Sequence, residues 1–137
     1  MKPKTKQRFR RGRRKGAAMI EFAVCLPVIM VIVFGAIEAA SMLFLRQALI
    51  QSAYEGVKIA VRTDAENNDA VAAAEAVAAG RRIDDLVVTF DPVNIQSAAK
   101  GELIRVTVSA PGDANSLIPY GPFKNRTIAA EAVMVKE

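Results

Sequence analysis

The sequence predicts an α+β protein. One long N-terminal helix crosses a membrane and continues into a small domain with a second helix and a three-stranded antiparallel sheet. Three observations carry that expectation. A dense basic leader ends at Gly16 and an apolar run follows at once. The apolar period then continues past the run in helical spacing. The C-terminal half holds short alternating segments bounded by Pro and Gly.

The chain has 137 residues, room for one modest domain and an anchor. Its net charge of +5 is unevenly placed. Residues 1–16 hold nine Lys or Arg and no acid, whereas the remainder holds ten against fourteen Asp or Glu, so 10 − 14 gives −4. The basic balance therefore belongs to the leader. A basic block raises nucleic acid as a partner. Here it abuts an apolar span and no base-reading element accompanies it, so cytoplasmic retention and contact with anionic lipid explain it more simply.

The apolar run from Phe22 to Ile37 carries no charge, and only Glu21 and Glu38 interrupt its extensions on either side. From Ala17 to Glu38 is twenty-one steps, about 32 Å of helix, against a hydrocarbon core of about 30 Å. Both acids are thus expected near the bilayer faces, where their cost is smallest. Glu21 would also gain from the positive end of a helix starting beside it. Pro27 removes a backbone donor and Gly35 adds a second weak point. The cations precede the span, which predicts the N-terminus inside and the body outside. Arg46 is the expected snorkelling residue at the outer interface. The expected organisation is a removable basic leader at 1–16, a transmembrane helix at 17–45, and an extracytoplasmic α+β domain at 46–137.

Beyond the span, Leu45, Leu49, Ala53, Val57 and Val61 recur four apart, which extends the helix to Arg62. Beside them runs a stripe of small residues, Ala48, Ser52, Gly56 and Ala60. It either packs on the protein's own sheet, the preferred reading, or forms a seam with another molecule. Thr63 and Glu66 have capping-box spacing for a second helix. That helix is alanine-rich and stops at Gly80. Arg81 to Asp85 reads as a charged turn. Strands are expected at 86–91, 103–110 and 127–135, with a Pro/Gly loop at 112–126. Tyr120 and Phe123 are expected to anchor that loop to the core.

Sites of chemistry are scarce. There is no histidine, the commonest catalytic base and metal ligand. The lone cysteine, Cys25, lies in the apolar run and reads as a small hydrophobe. Phe22, Ala23 and Val24 before it fit a lipoprotein signal poorly. Asp64, Glu66, Asn68 and Glu75 match positions of a calcium loop, but Asp69 stands where that loop needs glycine, and an alanine run follows. Asn125-Arg126-Thr127 is a glycosylation sequon of a kind common by chance. No nucleophile–base pair, phosphate loop or metal cluster stands out, so the expectation is a non-enzyme with no cofactor, no small-molecule substrate and no nucleic acid.

Gly16 and Glu21 remain. Cleavage after Gly16 would free an amine at Ala17, able to pair with Glu21 within one subunit or between neighbours. At these residues the chain resembles the type IV pilin class. Its leaders are cut by a prepilin peptidase after glycine, and it carries a glutamate fifth after the cut. More narrowly it is similar to the TadE-like family of minor pseudopilins of the tight-adherence (Flp-type) pilus system. The resemblance covers RRKGAAMIEFAVCLPVIMVIVFGAIEAA: basic leader, Gly16, Glu21-Phe22, then Pro27, Gly35 and Glu38. It extends more loosely to SAYEGVKIAVR and to the strands IRVTVSAP and AAEAVMVKE. It implies a pilin-like fold and processing between Gly16 and Ala17, with Glu21 and Phe22 recognised in processing or assembly. The implied setting is the inner membrane, alongside prepilin peptidase and other pilins, in assembly of an adhesive pilus. Two other readings stand beside it: an unprocessed single-pass anchor with an extracytoplasmic binding domain, and a secreted protein whose signal peptide is cut near Ala39-Ala40-Ser41.

Overall fold

The computed structural model describes residues 12–117 and 125–137. The chain divides into two compact units, Met1–Ala36 and Ile37–Glu137. Residues 1–11 of the expected leader and the expected anchoring by Tyr120 and Phe123 lie outside the described residues.

Helix α1 runs from Gly12 to Ala60. In the first unit it is a bare apolar helix, and its most hydrophobic stretch has no side chain buried within the protein. Met19, Ile20, Phe22 and Val31 are all more than half exposed. Pro27 is accommodated without ending the helix.

The second unit is built on the rest of α1. The predicted stripe is its core: Leu45, Leu49, Ala53, Val57 and Val61 are buried. The helix ends at Ala60, two residues short of the expected Arg62. The chain tightens there, with the Arg62 N–H donating to Ile59 O in a three-residue turn.

Helix α2, Asn67–Gly80, is capped differently from expectation. Thr63 lies in the turn that leaves α1 and takes no part. The cap residue is Glu66, whose backbone N–H donates to the Asp69 carboxylate, so the reciprocal pair sits three residues later. Ala70, Ala74 and Ala78 form the buried face. The helix stops at Gly80, as its sequence predicts, but the left-handed residue that follows is Arg82, with φ 55°.

The sheet has strands β1 (Val87–Asp91), β2 (Leu103–Pro111) and β3 (Thr127–Val135), all antiparallel, with β2 in the centre. Ile104, Val106, Val108 and Ala110 of β2 face inward and are buried. They are flanked by Val88 and Phe90 of β1 and by Ile128, Ala130, Ala132 and Met134 of β3. This face and the α1 stripe share one core. On the outer face Arg105 and Glu131 pair at 2.8 Å, both about half exposed. Such a pair contributes about 0–1 kcal/mol, so the apolar face holds the sheet.

The small-residue stripe lies inside the domain, as preferred, but the sheet is not its sole neighbour. A Cβ on Gly56 would stand 3.4 Å from Ala70 O, Ala74 Cβ and Val106 Cγ1. Gly56 therefore lets α2 and β2 approach α1 together. Between β1 and β2 a short 3₁₀ turn, Ile95–Ser97, is capped by Asn94, whose Oδ1 accepts from the Gln96 N–H. The end of β3 closes the unit. The Lys136 N–H donates to Glu102 O at 2.8 Å, and the Glu137 N–H to Val61 O at 3.0 Å.

Candidate functional site

The sequence singles out residues from Gly16 to Glu38, all of them on α1. Gly16 is exposed, and a Cβ there would meet nothing within 4 Å. It lies inside the helix and not at its start, because α1 already begins at Gly12. Glu21 is accordingly outside the first turn of the full chain, whose first turn holds no acid. The expected stabilisation by the helix dipole fades within that turn, so it does not reach Glu21 here. A new start at Ala17 would bring Glu21 to the end of the first turn, one turn from the freed amine on the same face.

Ala17, Glu21 and Phe22 are exposed. Pro27 and Gly35 lie further along the same exposed stretch of α1, and Gly35 has open space beside it. Cys25 is a free, exposed thiol. The segment thus presents a continuous apolar surface with a single carboxylate near its beginning.

Glu38 departs from expectation. It was expected at a bilayer face, but it is 1% exposed and belongs to the second unit. Its Oε1 accepts a hydrogen bond from Ser116 Oγ. A carboxylate so buried needs donors, and the β2–β3 connection supplies one. No local pattern in the sequence marks Ser116, which lies seventy-eight residues away.

The weaker motifs resolve into structure. Glu66, Asn68 and Glu75 lie at the cap or on α2, while Asp64 lies in the preceding turn, and they form no ligand shell. Among the described residues no three His, Cys, Asp or Glu side chains converge as a metal site would require. Asn125, of the sequon, is a left-handed residue just before β3. Sequence reasoning missed Asn67. Its Nδ2 donates to Val93 O at 2.7 Å, and its Oδ1 accepts from the Ile95 N–H at 3.1 Å, which ties α2 to the β1–β2 connection.

The family comparison falls on this same helix. Residues 16–58 match the TadE-like protein family. The match begins at Gly16 and runs almost to the end of α1, leaving the sheet and α2 outside it. No curated protein and no solved structure matches the chain. The TadE-like match agrees with the resemblance drawn from the leader, Gly16 and Glu21. Helix α1 is the one described helix long and apolar enough to cross a membrane.

Proposed function

We propose that this protein is a membrane-anchored minor pseudopilin that takes part in assembling a tight-adherence (Flp-type) pilus for surface adhesion. A prepilin peptidase removes residues 1–16. The new N-terminus at Ala17 begins the transmembrane segment, and the domain lies outside the inner membrane, where it meets other pilins and pseudopilins. The leader's positive charge supports this orientation.

One observation carries the reading. A cationic leader ends at an open, exposed Gly16, and Glu21 stands fifth after it on an apolar stretch of helix with no side chain buried among the described residues. A lone acid at that point makes insertion harder, and its carboxylate has no hydrogen bond or ion pair among the described residues, so a role in processing or assembly accounts for it.

The buried Glu38 bears on the signal-peptide reading. A cut near Ala39-Ala40-Ser41 would remove a residue that the domain encloses and bonds to Ser116. This supports retention of the helix with the domain.

Intact-mass measurement on membrane-extracted protein tests the proposal. The expected species begins at Ala17, with its net side-chain charge changed from +5 to −4. A chain starting at Met1 in cells with active peptidase would favour the unprocessed anchor, and one starting at Ser41 or Met42 the secreted protein. Replacing Gly16 with a bulky residue should block the cut.

A further inference from the structure

The second unit carries a groove of about 550 Å³ beside the early turns of its part of α1. Ala39, Leu43 and Arg46 line it from the helix, and Arg126, Ile128 and Ala129 from the start of β3. Its chemistry is divided. Among the described residues most of the lining is apolar, with Met42 and one hydroxyl, Thr127; no acid lines it, and the two charged groups are both guanidiniums. Both arginines are exposed, and among the described residues neither has an ion-pair partner.

The position of Arg46 along the helix gives this groove a setting. No Lys or Arg lies between Lys15 and Arg46. Those thirty intervening residues make about 45 Å of helix, close to the 40–45 Å of a bilayer with its headgroups included. A helix that enters one membrane surface at Ala17 therefore brings Arg46, twenty-nine residues on and about 44 Å along the helix, to the opposite headgroup layer. Helical side chains lean toward the helix N-terminus, so Arg46 leans back toward the lipid. Leu43 and Phe44, one turn nearer the span, are exposed apolar residues.

We infer that this groove binds one anionic phospholipid of the outer leaflet. The phosphate lies between Arg46 and Arg126, which present planar donors suited to phosphate oxygens. An acyl chain runs down along Ala39 and Leu43 toward the hydrocarbon. The groove recognises the headgroup's negative charge and an adjoining apolar chain together, which a free anion cannot supply. Bound lipid would fix the domain's rotation about α1 against the membrane surface. The inference rests on the reading of α1 as a transmembrane span.

The test uses the full chain in nanodiscs holding phosphatidylglycerol and phosphatidylethanolamine with identical acyl chains. Flotation with lipid first reports insertion, and failure to insert would overturn the span and this site together. Native mass spectrometry after release into detergent then reports retained lipid. The expected result is one phosphatidylglycerol held in preference to phosphatidylethanolamine. In the Arg46→Gln/Arg126→Gln protein that preference should fall about 25-fold, from about fivefold for each interfacial cation. The charge-matched Arg62→Gln/Lys100→Gln protein should retain it, which separates the groove from general attraction and from the leader's own cations. Excess inorganic phosphate should leave the lipid in place. Four results would each overturn the assignment while leaving the span intact: no headgroup preference, equal loss in the charge-matched control, displacement by phosphate, or a dimer that the arginine substitutions dissolve.

Discussion

Glu38, on α1, receives a hydrogen bond from Ser116, on the connection between β2 and β3. The contact joins residues seventy-eight apart and encloses a carboxylate at 1% exposure. An acid that the sequence places at a membrane face is in the structure a fastening between the helix and the far end of the sheet.

Removing one side of that fastening should loosen the domain. Ser116→Ala takes a donor from a buried carboxylate and should lower stability by about 1–3 kcal/mol. The measurement is urea unfolding of the full chain in detergent, followed by the circular-dichroism signal of the sheet. An unchanged midpoint would mean that the carboxylate is satisfied without Ser116.

Gly56 separates two effects that act in opposite directions. Alanine removes the glycine entropy cost in a helix, a gain of about 0.5–1 kcal/mol. Its Cβ meets Ala70 O, Ala74 Cβ and Val106 Cγ1 at 3.4 Å, tight but without overlap. Gly56→Ala should therefore be close to neutral. Gly56→Leu must push α2 or β2 away from α1 and should lose about 1–3 kcal/mol or more. Equal stability of the two variants in the same unfolding assay would show that the approach of the helices is not limiting.

These positions also show what the sequence made legible. The apolar period of α1 named its buried stripe, because a face that repeats every four residues must be covered by something. Alternation and bounding prolines located all three strands to within a residue or so. The sequence puts the cap of α2 at Thr63 because Thr63 and Glu66 have capping-box spacing, but the exit turn of α1 occupies Val61–Ala65 and the cap falls on Glu66. Contacts between distant segments left no local trace. Glu38 with Ser116, Asn67 with Val93 and Ile95, and Arg46 beside Arg126 all depend on how the elements pack, which no short window contains.

Asn67 should behave as a structural staple. Asn67→Ala removes both the donor to Val93 O and the acceptor for the Ile95 N–H. At about 0.5–1.5 kcal/mol for each hydrogen bond, the loss should be about 1–3 kcal/mol. The more diagnostic readout is amide hydrogen exchange. Ile95 should lose protection, while the paired amides of β2 and β3 keep theirs. Uniform loss across the sheet would show that Asn67 supports the whole domain and not that connection alone.

Glu21 offers the most direct test of assembly. On the proposed reading its carboxylate docks on a neighbouring subunit's Ala17 amine and sets the register between helices. It is exposed on the stretch of α1 that has no side chain buried among the described residues, so the domain core does not depend on it. Glu21→Gln keeps the shape and removes the charge. The domain should be as stable as the parent, and membrane insertion should be retained or slightly improved because a neutral amide enters lipid more easily. Cleavage after Gly16 should continue. Co-purification with other pilins should fall by more than about tenfold, as expected when one charge of a desolvated pair is lost, and piliation should fall with it. Parent-level co-purification and piliation in the Glu21→Gln strain would instead make the acid a tolerated surface residue of the helix.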